Sequence, residues 1–345
     1  MKKLIAALPL AALIAACGQG NSGGSAGTAQ LKIVGSSTVY PFTTAIAEQF
    51  QRANPGTSVI VESTGTGAGM KLFCGGVGSN FPDLTNASRR MKASEYEDCK
   101  KNGVNQVIEF PVGIDGLTLI ASVNAQPMKL TLRDLYAALA AKPFGKEQTA
   151  QTWKDVNPAL PAVKIRVIGP PPTSGTRDSL NELFIQKGCE TDPAMKALKE
   201  SNEDEYKDVC TKIREDGAFV EGGENDNLLV QKVSTDPTAI GVLGYSFLEE
   251  NADKVRAVEV NGKTPDAQSI TDLSYPGARK MYVYVKGEHL QAKPAIKDFI
   301  ATYAKATGKG GPLEQRGLVP FAAADATAAQ EQASKLTPID ASELK

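Results

Sequence analysis

The sequence contains a single histidine, His289, among 345 residues, and this scarcity limits the chemistry available to it. Metal sites built from several histidines and catalysis by a pair of histidines are excluded by counting. A serine or cysteine nucleophile would need His289 as its base, but the segment VKGEHLQAK around it predicts a surface turn. We therefore expect neither a metal nor a cofactor.

The sequence also lacks an excess of charge of either sign. Thirty-eight basic residues face 39 acidic residues, which gives a formal net charge of −1. Binding to nucleic acid or to a membrane surface requires clustered positive charge, so no nucleic-acid partner is expected. Apolar residues make up 41% and charged residues 22%, as in soluble globular proteins, and the length predicts two domains.

The N-terminus predicts export. Residues 1–16 carry two lysines and then an apolar stretch too short to span a bilayer, which is typical of a signal peptide. The segment ends in IAAC, which resembles the lipobox of bacterial lipoproteins and so implies lipidation of Cys17. The Gly/Ser-rich residues 17–30 predict a flexible tether. These features predict a periplasmic protein anchored to the membrane by lipid.

Four further cysteines, Cys74, Cys99, Cys189 and Cys210, form an even number in a chain that enters an oxidising compartment. Three pairings are possible. Proximity in sequence favours Cys74 with Cys99 and Cys189 with Cys210, and each bond would stabilise the fold by about 3 kcal/mol. A four-cysteine zinc site is the alternative, but none of the four belongs to a C-x-x-C pair.

Strand-like and helix-like segments alternate from Leu31 onward, which predicts an α/β protein with mostly parallel sheets flanked by helices. Two extended segments, 109–122 and 275–285, lack helical periodicity and could cross between domains. The predicted division is a discontinuous domain I, residues 31–112 and 282–345, and a domain II, residues 113–281. Such an architecture leaves a cleft that closes about a hinge.

Three segments could place small neutral donors around a ligand. In GSSTVYP (35–41) a strand ends in hydroxyl residues and a helix begins, which exposes backbone N–H groups. STGTGAGMK (63–71) is a glycine-rich turn that a ligand could approach closely. In GPPPTSGTRD (169–178) three prolines lead to a hydroxyl-rich helix start. An ordinary helix cap and a flexible surface turn are the alternatives for the first two.

Two of these segments and a fourth, DLTNASRR (83–90), also supply basic side chains. Arg177 lies in a first helical turn, where the helix dipole favours acids, so an oxyanion could be its partner. A salt bridge to Asp178 or Glu182 is the alternative. The paired arginines of the fourth segment could equally lie on a solvated face. The glycine spacing does not fit a dinucleotide fingerprint, a Walker lysine is absent, and no G-x-S-x-G elbow occurs.

Taken together, these motifs resemble the phosphate-binding proteins of bacterial phosphate ABC transporters, the PstS type of periplasmic solute-binding protein. The resemblance extends from about Leu31 to Phe321 and includes GSSTVYP, STGTGAGMK, DLTNASR, TSGTRD and AIGVLGYS. It implies a two-domain periplasmic-binding-protein fold joined by crossing hinge strands. The phosphate-binding residues that we predict on this basis are Ser37, Thr38, Val39, Thr66, Gly67, Ser88, Arg89, Asp115, Ser174, Gly175, Thr176 and Arg177.

The sequence departs from the family pattern at two positions. Many members have an aspartate directly after the Ala-Ser of the fourth segment, where this chain has Arg89, and others have an arginine where this chain has Pro170. Arg89 and Arg177 are therefore the predicted cationic contacts. Asp115 is the predicted acceptor of the proton that phosphate carries and sulfate lacks; its alternative role is that of a hinge carboxylate.

The resemblance implies a monomeric, non-enzymatic protein that binds inorganic phosphate and delivers it to the permease subunits of an ABC transporter. One alternative is a binding protein for another oxyanion, sulfate or molybdate. A less favoured alternative is a phosphate-ester hydrolase with Ser37 or Ser174 as nucleophile. A sensory or structural lipoprotein that binds an anion without feeding a permease is the remaining alternative.

Overall fold

The computed structural model describes residues 29–223 and 225–344. The predicted signal peptide (1–16), the lipidation site Cys17 and all but the end of the predicted tether (17–30) lie outside the described residues. Within the described ranges, no helix is long and apolar enough to cross a membrane.

Eleven β-strands occur within the described ranges. In chain order they are β1 Ala29–Gly35, β2 Thr57–Ser63, β3 Leu84–Ala87, β4 Val107–Ser122, β5 Lys129–Leu130, β6 Val167–Gly169, β7 Phe219–Glu221, β8 Ile240–Gly244, β9 Val255–Ala257, β10 Glu259–Val260 and β11 Ala278–Lys286.

Fourteen α-helices occur in the same ranges. They are α1 Tyr40–Ala53, α2 Thr66–Phe73, α3 Ala93–Lys101, α4 Leu132–Leu139, α5 Trp153–Val156, α6 Gly175–Ser179, α7 Gln186–Cys189, α8 Pro193–Ser201, α9 Glu203–Cys210, α10 Asp226–Ser234, α11 Tyr245–Glu250, α12 Ala267–Thr271, α13 Ala295–Ala306 and α14 Ala323–Lys335. A π-helical turn, Leu180–Ile185, joins α6 to α7.

The predicted α/β class is confirmed. Nine strands form one sheet in the order β2-β1-β3-β11-β4-β8-β6-β7, with β9 also paired to β4. β1 runs parallel to β2 and β3, and β6 runs parallel to β7 and β8, as the strand–helix alternation predicts. β11 runs antiparallel to both β3 and β4.

The long strand β4 connects the two halves of this sheet. Its first part, from Val107 to Gly116, pairs with β11, and its second part, from Leu117 to Ser122, pairs with β8 and β9. The two segments expected to cross are therefore neighbouring antiparallel strands. Their register places Arg279 of β11 opposite Asp115 of β4.

Apolar side chains form separate cores on the two sides of the crossing strands. The largest cluster draws its buried members from Ile114 to Tyr275. Two other clusters draw theirs from Leu31 to Val112 and from Met281 to Leu344. This segregation supports the predicted two-domain division, whose boundaries stay a prediction.

Both predicted disulfide pairings are confirmed. Cys74 bonds to Cys99, joining the end of α2 to α3, and Cys189 bonds to Cys210, joining the end of α7 to α9. With all four sulfurs in disulfides, none is left as a thiolate ligand, which is the form that a structural zinc ion requires.

The prediction of a surface turn around His289 was wrong. The imidazole is 5% exposed. Its Nε2 atom accepts a hydrogen bond from the Gly78 N–H at 2.9 Å, so Nδ1 carries the proton and donates it to Asp83 at 2.7 Å. Asp83 precedes His289 by 206 residues, so sequence proximity gives no sign of this contact.

Candidate functional site

The turn between β1 and α1 presents hydroxyl groups at the end of a buried strand. Thr38 is buried, and the Val39 N–H donates to Ser36 Oγ at 3.4 Å where the helix begins. Proline follows in the first turn, where a missing N–H does no harm. Strand and helix thus fix Ser37 and Thr38 at the carboxyl end of β1; their contact with phosphate stays a prediction.

The glycine-rich segment 63–71 forms a loop only as far as Gly65. From Thr66 onward it belongs to α2. Glycine is required at position 69, where a Cβ atom would lie 2.4 Å from the Gly35 Cα atom. The same Cβ atom would lie 2.8 Å from Thr85 Oγ1, so the start of α2 lies close to both β1 and β3. There the Thr66 hydroxyl lies 2.9 Å from Ser88 Oγ and accepts the Ser88 N–H at 3.1 Å.

The start of α6 lies directly against the turn after β1. Ser174 caps the helix by accepting the Thr176 N–H at 3.2 Å. A Cβ atom on Gly175 would lie 2.6 Å from the Ser37 carbonyl oxygen, so only glycine permits this contact. Thr38 Oγ1 donates to the Gly175 carbonyl at 3.2 Å. The two predicted walls of the cleft therefore meet in this structure.

Arg279 lies at the centre of these contacts, with a side chain only 10% exposed. Its Nε atom donates to Asp115 at 3.1 Å, and its Nη1 atom forms an ion pair with Glu182. Its Nη2 atom donates to Thr38 Oγ1 at 3.1 Å and to Ser179 Oγ at 2.7 Å. The two carboxylates orient the guanidinium so that Nη2 faces the cleft hydroxyls, the arrangement expected of a fixed oxyanion donor.

Two further carboxylate contacts connect the walls. Ser37 donates to Asp178, and Ser88 donates to Glu182 at 3.2 Å. Burial raises the pKa of Asp178, and the hydrogen bond from Ser37 only partly opposes this. Ser179, adjacent to Asp178, donates to Asp115 at 2.8 Å.

Six of the predicted site residues thus contact Arg279 or its partners: Ser37, Thr38, Thr66, Ser88, Asp115 and Gly175. Ser174 caps α6 beside them. Val39 lies beside them with its side chain in the core, Gly67 is exposed in α2, and Thr176 lies in the first turn of α6.

The two predicted cationic residues have other partners in this structure. The Arg89 guanidinium bonds to both carboxylate oxygens of Glu95, at 2.7 and 2.9 Å. The Arg177 guanidinium stacks on Phe219, 4.3 Å from the ring centroid, and donates to the Pro170 carbonyl at 3.0 Å. Burial lowers the pKa of Arg177. Phosphate contact by these two arginines stays a prediction.

Sequence reasoning missed Arg279, Asp178, Ser179 and Glu182 as cleft residues. Arg279 carried a signal: it is a charged residue at the start of an apolar extended segment that was expected to cross between domains. Its partner Asp115 lies in the other segment that was expected to cross. Pairing the two segments would have indicated the contact.

The described residues contain no group of three or more histidine, cysteine, aspartate or glutamate side chains placed to hold a metal ion. The arrangement around Arg279 is instead one of hydroxyl donors, one guanidinium and three carboxylates. Such a set can bind an oxyanion that itself carries hydrogen-bond donors.

Comparison with known proteins supports the family resemblance. The PBP superfamily domain matches residues 20–305. Protein SphX of Synechococcus elongatus is 34% identical over 307 residues, which cover 86% of this chain and 79% of SphX. The phosphate-binding protein PstS of Staphylococcus saprophyticus is 31% identical over 337 residues, which cover 95% of this chain and 91% of that protein.

Solved structures show the same fold. A possible phosphate binding protein from Planctomyces limnophilus has a TM-score of 0.71 at 26% identity, over 90% of this chain and 99% of that one. An ABC-type phosphate transport receptor from Vibrio cholerae has a TM-score of 0.58 at 22% identity, over 84% of this chain and 100% of that one, and it supports the fold alone. By sequence and by architecture, the chain belongs to the PstS-type family of phosphate-binding proteins within the PBP superfamily.

Proposed function

We propose that this protein binds inorganic phosphate in the cleft around Arg279 and delivers it to the permease of an ABC transporter without changing it chemically. The observation that carries the proposal is the guanidinium of Arg279, held between Asp115 and Glu182 with Nη2 directed at cleft hydroxyls. The names of two related proteins, the phosphate-binding protein PstS of Staphylococcus saprophyticus and the possible phosphate binding protein from Planctomyces limnophilus, support the same ligand.

The donors of the cleft suit a tetrahedral oxyanion. Arg279 would supply charge-assisted hydrogen bonds, while Ser37, Thr38 and Ser179 would supply neutral ones. These groups lie on β11, on the turn after β1 and on α6, so each side of the cleft contributes. Closure that excludes water strengthens every one of these bonds.

Asp115 has a role additional to the predicted one. The structure pairs it with Arg279 and Ser179, at 3.1 and 2.8 Å. A carboxylate engaged in this way orients the arginine and accepts from a neighbouring hydroxyl. Acceptance of a ligand proton by Asp115 stays a prediction.

A hydrolase is less well supported. The only imidazole of the chain belongs to His289, whose two nitrogens are engaged by Asp83 and the Gly78 N–H. It is therefore not placed to take a proton from Ser37 or Ser174. Binding without covalent chemistry accounts for the cleft with fewer assumptions.

We also propose that the protein acts outside the cytoplasm, anchored by a lipid on Cys17 and monomeric. The two disulfides support an oxidising compartment. Mass spectrometry of the protein purified from membranes tests the anchor: a diacylglyceryl adduct on an N-terminal Cys17 is expected, and an unmodified Cys17 would contradict it.

Isothermal titration with phosphate, arsenate, sulfate and molybdate tests the ligand. Saturable heat with phosphate and arsenate is expected, and none with sulfate, because a carboxylate near the ligand tolerates only an oxygen that carries a proton. Heat with sulfate or molybdate but not with phosphate would overturn the assignment.

A further inference from the structure

A cavity of about 620 Å³ lies beside the cleft, and we call it the vestibule. Its walls come from α2 and α3 of predicted domain I and from α9 of predicted domain II. The lining includes Gly67 and Lys71 of α2, Glu95 and Asp98 of α3, and Glu203 of α9. All of these except Glu95 are exposed, so the vestibule is open to solvent.

Two contacts place the vestibule next to the cleft. Gly67 directly follows Thr66, whose hydroxyl lies 2.9 Å from Ser88 Oγ. Glu95 binds the guanidinium of Arg89, which directly follows Ser88. The vestibule therefore adjoins the cleft on the side of the Thr66–Ser88 contact, and it offers an anion a route from solvent to the cleft hydroxyls.

The three acidic side chains that the described residues place in the vestibule each have a basic partner. The pairs are Glu95 with Arg89 at 2.7 Å, Asp98 with Lys101 at 3.1 Å, and Glu203 with Lys207 at 2.9 Å. A pair of opposite charges at such a distance has only a weak field further away. These acids therefore repel an approaching anion little.

Lys71 is the cation of the vestibule that lacks such a partner. Its side chain is exposed and forms no ion pair or hydrogen bond with the described residues. Its charge nevertheless reaches Glu203 on the opposite wall. The pKa of Glu203 lies below its ordinary value mainly because of the hydrogen bond and charge of Lys207, and Lys71 adds a smaller contribution. Lys71 thus leaves one uncompensated positive charge in the space between the domains.

We propose that phosphate enters the cleft through the vestibule and that the Lys71 ammonium group is its first contact. An exposed charge attracts an anion over about 8 Å at physiological ionic strength, which raises the frequency of productive encounters. Arg279 holds the ion after entry, so Lys71 acts on the rate of binding and not on the choice of ligand. The inference rests on the proposed function and adds to it the route of the ligand.

The test is measurement of the rate constants of phosphate binding to the purified protein. Isothermal titration with inorganic phosphate gives the association constant. Chase of bound radiolabelled phosphate with unlabelled phosphate gives the dissociation rate constant, and the product of the two is the association rate constant. At low salt, Lys71→Gln should lower the association rate constant about threefold. Lys71→Glu should lower it about tenfold, because the new carboxylate also repels the anion.

Salt and a matched variant separate this effect from a general change in the protein. Between about 0.01 and about 1 M salt, the range of an exposed charge falls from about 30 to about 3 Å, so the native protein and Lys71→Gln should bind at similar rates in high salt. The control is Lys297→Gln, which removes another exposed lysine, on α13. Because α13 packs in a different core cluster from α2 and α3, this variant should bind phosphate at the native rate.

Slower association in both Lys71 variants, which high salt removes and the control lacks, supports the proposal. Association at the native rate in both Lys71 variants would overturn it. A loss of affinity that arises only from faster dissociation would also overturn it, because Lys71 would then contact the bound ion. Either result would leave phosphate binding by the native protein intact. Absence of heat when the native protein is titrated with phosphate would instead overturn the proposed function and this inference together.

Discussion

Two buried clusters of charge in this molecule are built on opposite plans. Around Asp83, one carboxylate with no exposed surface is surrounded by donors: the Lys32 N–H, His289 Nδ1 and Lys293 Nζ, at 2.8, 2.7 and 2.8 Å. Around Arg279, one guanidinium is surrounded by three carboxylates and several hydroxyls. The first cluster supplies its single carboxylate with three donors, and the second has more carboxylates than its cation can neutralise.

The location of each cluster explains the difference. The Asp83 cluster joins β3 to the segment after β11 and lies within predicted domain I, where a permanent, satisfied network stabilises the fold. The Lys286 ammonium beside it is fully buried between the rings of Phe73 and Phe81 and donates to the Gly76 carbonyl. Burial lowers the pKa of Lys286 to about 8.

The Arg279 cluster instead joins elements of both predicted domains. The excess of acceptors in the Arg279 cluster is satisfied only if a ligand supplies donors. We therefore attribute the Asp83 cluster to stability and the Arg279 cluster to binding. Substitutions in each cluster should therefore affect different measurements.

The largest effect is expected from Arg279→Met. The variant removes the guanidinium that pairs with Asp115 and Glu182 and leaves these carboxylates facing the ligand, so phosphate affinity should fall about a thousandfold, or about 4 kcal/mol. Isothermal titration measures the loss. Arg279→Lys keeps the positive charge but not the planar set of donors, so it should bind more tightly than Arg279→Met and less tightly than the native protein. Equal phosphate affinity of Arg279→Met and the native protein would show that Arg279 does not belong to the site.

The corresponding change in the other cluster is Asp83→Asn. It leaves Lys293 and the buried Lys286 without their carboxylate, so the free energy of unfolding should fall by about 3 kcal/mol. Urea denaturation measures this loss. Phosphate affinity of the folded variant should match that of the native protein, and a large loss of affinity at unchanged stability would contradict the assignment of roles.

Acid should remove the contribution of Asp83 to the stability of the folded protein. Burial alone would raise the pKa of Asp83, but the hydrogen bonds from His289 and Lys293 hold it below its ordinary value. A carboxyl group whose pKa is lower in the folded than in the unfolded protein stabilises the folded state at pH values above its unfolded pKa. This contribution is lost as the pH falls through the folded pKa. The stability difference between the native protein and Asp83→Asn should thus be constant near neutrality and shrink below about pH 4. A difference that grows in acid would contradict this account.

The smallest effect is expected from Thr38→Val, which removes one hydroxyl that contacts Arg279 while keeping the side-chain volume. Phosphate affinity should fall about tenfold, since one hydrogen bond to a charged group is lost. Thr44→Val, in the helix α1 that follows Thr38, is the matched control, because the Thr44 hydroxyl is buried without a hydrogen-bond partner among the described residues. It should bind normally; an equal loss in both variants would indicate a general change in α1.

Local sequence patterns predicted the parts of the site that depend on local structure. The hydroxyl residues at the ends of β1 and β3 and at the start of α6 follow from strand-to-helix spacing, and most lie together as expected. The disulfides also follow from short separations, of 25 and 21 residues.

Side chains whose partners are distant in sequence were not predictable in the same way. Arg279 is 164 residues from Asp115 and 241 from Thr38, so its place depends on strand register and domain packing. Arg89 was expected to face the cleft, yet Glu95 in the following helix binds it over a shorter distance along the chain. A long flexible arginine can reach several partners, and sequence alone does not rank them.

A crystal structure of the protein with phosphate tests the central claim most directly. We predict phosphate in the cleft, with an oxygen within about 3 Å of Arg279 Nη2 and others at the hydroxyls of Thr38 and Ser179. Phosphate bound at Arg89 or Arg177, without contact to Arg279, would contradict the account.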